Sequence, residues 1–160
     1  MASQFLLNLF IATLWLLLQD EVVPQFTTFL MGFIVGIGIL YVMHRFYGTQ
    51  FYLRRVFSIV RLMLLFNWEL LLSSYSVLKQ ITTPKLTITP GIFTYKTELK
   101  GDWEVTALAL LLTLTPGSVV MEVSEEGDLF YIHAMDMEES KDAVIRSIGK
   151  FEQAIMEVTR

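Results

Sequence analysis

Between Phe26 and Met43 the chain runs for 18 residues without a charged side chain. A helix of that length matches the hydrocarbon thickness of a bilayer, where backbone polar groups must be satisfied within the segment itself. Pro24, just before it, suits the opening turn of a helix. A second uncharged run, Phe5 to Leu18, is interrupted only by Asn8 and Thr13. As a helix it reaches roughly 21 Å, short of the ~30 Å core, so it needs flanking protein or a thinned bilayer. It lacks a basic leading region and a small-x-small cleavage site before Asp20, so a retained helix fits better than a signal peptide.

Composition agrees. The 160 residues are 54% hydrophobic and 18% charged, against about 45–50% and 25% for soluble domains. Such an excess implies apolar surface facing lipid. The absence of cysteine excludes disulfides, thiolate metal sites and a cysteine nucleophile. Two histidines, His44 and His133, argue against a multi-histidine metal centre.

Charge divides the chain. Residues 1–78 carry a net +1 and residues 79–160 a net −5. The expected organisation is a membrane part, 1–79, with helices at about 5–18, 26–43 and 56–78, and a polar domain, 80–160. Arg45, Arg54 and Arg55 follow the second apolar run, whereas the first is followed by Asp20 and Glu21. The positive-inside tendency puts the Arg side, and with it the N-terminus, in the cytoplasm. The first two helices then form a hairpin. Gly32-x-x-x-Gly36 is the spacing that lets two helix backbones approach closely in lipid.

Val56 to Leu78 is apolar enough to span but carries Arg61, Asn67 and Glu69. Arg55, Ser58, Arg61, Glu69, Ser73 and Ser76 share one stripe of a helical wheel. Such a helix lies in the membrane interface, or spans with its stripe against a partner. The interfacial position keeps residues 80–160 on the Arg-rich side. Arg61, Asn67 and Glu69 are open to three readings: a polar subunit contact, an ion path through Glu69, or solvated surface.

The second half reads as a small α+β domain. Lys85 to Thr89 is a short extended piece between Thr82-Thr83-Pro84 and Thr89-Pro90-Gly91. A strand is expected at Ile92–Thr97 and a helix from Asp102, its N-cap, to Leu114. Val119–Val123 and Leu129–Ala134 form a hairpin, and a helix runs from Glu138 to Val158. The order β-α-β-β-α suggests a ferredoxin-like fold. The 102–114 helix is apolar nearly all round, so a sheet covers one side and the other is left for membrane or partner.

Chemistry is sparse. His133 with Asp136 offers a proton carrier or ion-path group, but a hairpin-edge histidine explains it as well. Glu122, Glu125, Glu126 and Asp128 surround a turn without the spacing of a calcium loop. There is no nucleophile elbow, phosphate loop or dinucleotide fingerprint, and the acidic domain argues against nucleic acid. No enzyme activity, catalytic residue, metal, cofactor or small-molecule substrate is indicated. One reading of these features alone is a free-standing membrane-anchored binding domain.

A family resemblance sharpens this. Leu6-Leu7-Asn8-Leu9-Phe10 with Ala12 and Trp15 resembles the start of the E subunit of Mrp-type (also called Mnh) multisubunit cation/proton antiporters. Trp103-Glu104-Val105-Thr106 and Leu112 through Ser118 resemble that family's signature stretch, and the match continues through Val123-Ser124, Tyr131 to Asp136 and Phe151-Glu152. Ser118 stands where threonine is usual, and Met135 where leucine is common. The resemblance implies an accessory, non-catalytic subunit of a Na+/proton antiporter in a prokaryotic cell membrane, serving pH homeostasis and salt tolerance. Its implied partners are the other subunits and the bilayer. Leu114, Thr115, Pro116 and Gly117 then form a helix-to-strand turn available for subunit contact, as are Gly32 and Gly36.

Overall fold

The computed structural model describes residues 2–19, 25–47, 51–84, 88–137 and 141–160. The turn expected at Asp20–Pro24, residues 85–87 of the extended piece and the start of the last helix at Glu138 lie outside these. The chain divides into two compact units, Met1–Phe57 and Ser58–Arg160. The elements are α1 (Ala2–Leu18), α2 (Phe26–Tyr47), α3 (Tyr52–Thr82), β1 (Gly91–Lys96), α4 (Asp102–Leu114), β2 (Ser118–Val123), β3 (Leu129–Ala134) and α5 (Lys141–Thr159). Phe26–His44 and Tyr52–Thr82 are long and apolar enough to cross a membrane, and the apolar helix Ser3–Leu18 is shorter.

In the first unit α1 and α2 pack closely because glycine lets them. A Cβ built on Gly32 would lie 2.6 Å from Cβ of Trp15, and one on Gly36 only 2.0 Å from Oδ1 of Asn8. Asn8 is fully buried. Its Nδ2 donates to the Tyr52 hydroxyl at 2.8 Å. Its Oδ1 accepts no conventional hydrogen bond and occupies the space a Gly36 side chain would fill, facing the backbone Cα–H as a weak donor. The Tyr52 backbone N–H donates to Oε1 of Gln4 at 2.9 Å, and the Phe5 ring meets those of Phe33 and Tyr52 edge-on. Burying an amide among apolar helices is costly, and the Nδ2 bond to Tyr52 offsets part of that cost.

The second unit follows the expected element order. β3 is central in a three-stranded antiparallel sheet of order β1-β3-β2. A β-bulge between Val120 and Glu122 shifts the β2 register. Alternation along β3 sends Phe130, Ile132 and Ala134 inward, where they meet Phe93 of β1, Leu108 and Leu112 of α4, and Ile148, Phe151 and Ile155 of α5. The hairpin turn closes at Gly127, whose φ of +73° is left-handed and suits glycine. Its N–H donates to the Ser124 carbonyl at 2.9 Å.

Two details depart from expectation. Residues of α3 beyond Ser58 belong to this unit: Leu62 is buried in its core, with Leu65 and Phe66 packed against it. The compact unit thus begins at Ser58, because the helix brings its own apolar side chains into the core. At the start of α4 the N-cap is Gly101, with no side-chain cap bond, and Asp102 is the first helical residue. The capping work falls to Glu104, which is buried. It accepts from the Lys100 N–H at 3.3 Å and from the Thr159 hydroxyl at the end of α5. Glu104 therefore ties the first turn of α4 to the last turn of α5.

The Thr159 hydroxyl above all, with the backbone N–H groups at 100 and 101 and Arg160, holds the Glu104 carboxyl below its ordinary range despite burial. A carboxyl lowered by folding contributes stability above its unfolded value and loses it as pH falls through the folded one. Acid unfolding of the full chain followed by circular dichroism should therefore be shallower for Glu104→Gln than for the native chain between about pH 5 and pH 2. Equal slopes would remove Glu104 from the account. In the first unit, Gly36→Leu should lower stability by about 1–3 kcal/mol through overpacking. Gly38→Leu should not, because a Cβ at Gly38 meets nothing within 4 Å. Thermal melts in detergent compare the two.

Candidate functional site

Polar side chains of α3 converge with α5 and the α4–β2 turn. Glu69, Ser73, Ser76 and Gln80 recur along one face of α3 at helical spacing. Across from them, Ser147 and Lys150 sit three apart on α5. Lys150 Nζ donates to Oε1 of Glu69 at 2.7 Å, and the Ser147 hydroxyl donates to Oε2 at 2.6 Å. The carboxylate is 8% exposed while Lys150 is 53% exposed, so the acid is enclosed and its base reaches in from the rim. Further along the same pair of helices, Arg61 donates to Oε2 of Glu157 at 2.7 Å in a more open ion pair.

The turn from α4 to β2 closes the third side. Its sequence, Thr115-Pro116-Gly117-Ser118, explains its shape. A helix end leaves carbonyls without partners. Here the Leu112 carbonyl accepts from the Thr115 hydroxyl at 2.8 Å and from the Ser118 hydroxyl at 3.2 Å. Pro116 cannot continue the helix. Gly117, at φ +95°, turns the chain into β2 in a conformation that side chains avoid. The Gly117 carbonyl accepts from the Met135 N–H at 2.9 Å, stitching the turn to the end of β3.

α3, this turn and α5 enclose a cavity of about 260 Å³. Glu69, Ser76 and Gln80 line it from α3, Thr115 to Ser118 from the turn, and Arg146 and Lys150 from α5. Its walls are mixed, with Leu72, Val77, Leu112 and Met135 beside the polar groups.

Of the residues singled out in the sequence, the structure brings Glu69 together with Thr115, Pro116 and Gly117 around this cavity. Gly32 and Gly36 face α1 of the same chain. Asn67 turns back, its Nδ2 donating to the Met63 carbonyl at 2.8 Å. Leu114 is exposed at the end of α4. His133 lies in β3, paired with Ile92 and Val119, and does not line the cavity. Asp136 accepts from the Thr89 hydroxyl at 3.1 Å, and Asp128 pairs with Lys96 at 3.2 Å.

Sequence reading missed Ser147, Lys150, Gln80 and Arg146. The i, i+3 spacing of Ser147 and Lys150 on α5 was the available signal, but nothing in the chain said which helix faces it. It also missed a second buried acid, Glu152 of α5. Glu152 accepts from the Tyr95 hydroxyl at 2.7 Å, from the Thr97 hydroxyl and from the Glu98 N–H at 3.2 Å. Burial first, then the neighbouring carboxylate, raises Tyr95 above the ordinary phenol range, so it stays a donor.

Apolar helices long enough to cross a membrane, together with a small α+β unit, are the class that this architecture defines. The model of a family described as Na+/H+ ion antiporter subunit matches residues 8–158. The E subunit of the Na(+)/H(+) antiporter of Bacillus subtilis is 46% identical over the full length of both chains. A Staphylococcus epidermidis protein named as antiporter subunit mnhE2 is 39% identical over 99% of each. A chain in the solved structure of the membrane-bound sulfane sulfur reductase, an archaeal respiratory membrane complex, shares the fold. Its TM-score is 0.54 at 22% identity, over 97% of this chain and 99% of that one. The chain belongs to the family of Na+/H+ antiporter E subunits.

Gly117→Ala should destabilise the turn by about 1–2 kcal/mol, the cost of a left-handed side-chain residue. Ser118→Thr should be tolerated, since it keeps the hydroxyl that bonds Leu112. Thermal melts of the full-length variants check both.

Proposed function

We propose that the chain is an accessory subunit of a multisubunit Na+/proton antiporter, contributing to assembly rather than carrying ions. The observation that supports this is the state of Glu69. It is the one acid of α3 and so that helix's candidate for an ion path, and both its oxygens are occupied by donors from α5. An acid engaged by a lysine and a serine on a packed neighbour acts as a clamp between helices. The relatives' names supply the antiporter context.

In this reading α1 and α2 cross the membrane as a hairpin with the N-terminus inside. α3 lies along the cytoplasmic interface, and the α+β domain, a ferredoxin-like unit with three strands among the described residues, faces the cytoplasm. Between Val60 and Leu78, α3 exposes Val60, Leu64, Trp68, Leu71, Tyr75 and Leu78 at helical spacing. That stripe suits lipid or another subunit. This family member performs no catalysis of its own. Partner contacts are expected at Leu114, which is exposed, and at the turn that follows it.

Glu69→Gln separates the alternatives. A clamp loses a charge-assisted bond worth about 1–2 kcal/mol, discounted because Lys150 is half exposed. The amount of assembled complex recovered in mild detergent should fall, and antiport in membrane vesicles should fall in the same proportion. Intact assembly with abolished antiport would instead make Glu69 part of an ion path.

A further inference from the structure

We infer that the cavity between α3, the 115–118 turn and α5 binds the glycerophosphate headgroup of an anionic phospholipid. Three observations point there. The first is charge. Lys150 compensates Glu69, which leaves Arg146 as the cavity's unbalanced cation, exposed and without an ion pair among the described residues. A guanidinium at the mouth of a mixed cavity suits a phosphate diester.

The second is an orphan acceptor. Oε1 of Gln80 is buried and accepts no hydrogen bond. A buried acceptor left unpaired costs free energy that a hydroxyl donor in the cavity would recover. A bare phosphate diester has no such donor. A glycerol headgroup has two hydroxyls and is small enough for about 260 Å³.

The third is the way out of the cavity. Leu72 lines it and is itself 46% exposed. Trp68 and Tyr75, four residues before and three after Leu72, lie beside it on the helix surface and are exposed. A ligand with its phosphate at Arg146 and its hydroxyl at Gln80 has an apolar bed for acyl chains along α3. Phosphatidylglycerol combines these parts. The inference goes beyond the antiporter reading and rests only on the chain being a membrane protein.

Binding to the purified full chain in neutral detergent is measured by titration calorimetry with short-chain lipids. Phosphatidylglycerol should bind saturably, at least about tenfold more tightly than phosphatidylcholine, as expected for one added charge-assisted bond. Phosphatidylmethanol, an anionic diester without hydroxyls, should bind several-fold more weakly than phosphatidylglycerol. Arg146→Gln should erase the preference for the anionic lipid, and Gln80→Leu the preference for the hydroxylated one. Ala143→Phe, at an exposed position on the cavity wall, should abolish binding while leaving the melting temperature unchanged.

Equal affinity for phosphatidylcholine, or full binding by Ala143→Phe, would overturn the site. Equal affinity for phosphatidylmethanol would overturn the role of Gln80 and the choice of headgroup. Binding of soluble glycerol phosphate as tight as that of phosphatidylglycerol would overturn the lipid source. None of these outcomes bears on assembly or antiport, so failure here and failure of the antiporter-subunit reading are distinguishable.

Discussion

The ion-pair cluster of Glu69 with Lys150 and Ser147 is the constraint on which the second unit's arrangement turns. An enclosed carboxylate is costly unless charge and hydrogen bonds replace its water. Here Lys150 Nζ and the Ser147 hydroxyl do so at 2.7 and 2.6 Å. Both donors lie on α5, so satisfying one side chain of α3 fixes where α5 sits along it. The Arg61–Glu157 pair repeats the same connection two turns away, at the more exposed end. Leu62 of the same helix is buried in the core, with Leu65 and Phe66 packed against it. Apolar burial supplies most of the energy, while the clamp selects register, a division of labour that buried polar pairs serve in some other folds.

That arrangement gives α3 two faces with different work. Its polar face is consumed inside the chain, against α5. Its apolar stripe is left outward, from Val60 to Leu78. A 31-residue helix of this kind is poorly described by hydropathy, because Arg61 and Glu69 look like isolated charges when each is paired with a residue of α5. The same face leads to the cavity, whose far wall is the signature turn. Leu112, Thr115, Gly117 and Ser118 are held together by the need to finish α4 and start β2, and the cavity is a consequence of how that turn meets the two helices.

The sequence made much of this legible. Uncharged runs marked α1 and α2, and Gly32-x-x-x-Gly36 marked a close approach, which the fit of Asn8 against Gly36 explains. Alternation and turn residues located all three strands, and the β-α-β-β-α order followed. What stayed hidden was pairing at a distance. Nothing along the chain said that Lys150 faces Glu69, 81 residues away, or that Glu152 is bonded by Tyr95 and Thr97. Local pattern shows which face of a helix is polar. Only packing shows what that face meets, and so the pattern of the helix expected at 56–78 gave no sign that Leu62, Leu65 and Phe66 join the domain core. The replacement of an expected Asp102 cap by Glu104 has the same origin, since Thr159 comes from the far end of the chain.

The central claim is that Glu69 and Lys150 act as one structural unit. A double-mutant cycle on the full chain in detergent, with Glu69→Ala, Lys150→Ala and the pair, tests it most directly. Thermal stability should show a coupling of about 1 kcal/mol, because either single change already breaks the bond the other would lose. Strictly additive losses would contradict the account, and would mean that α5 is held on α3 by apolar packing alone.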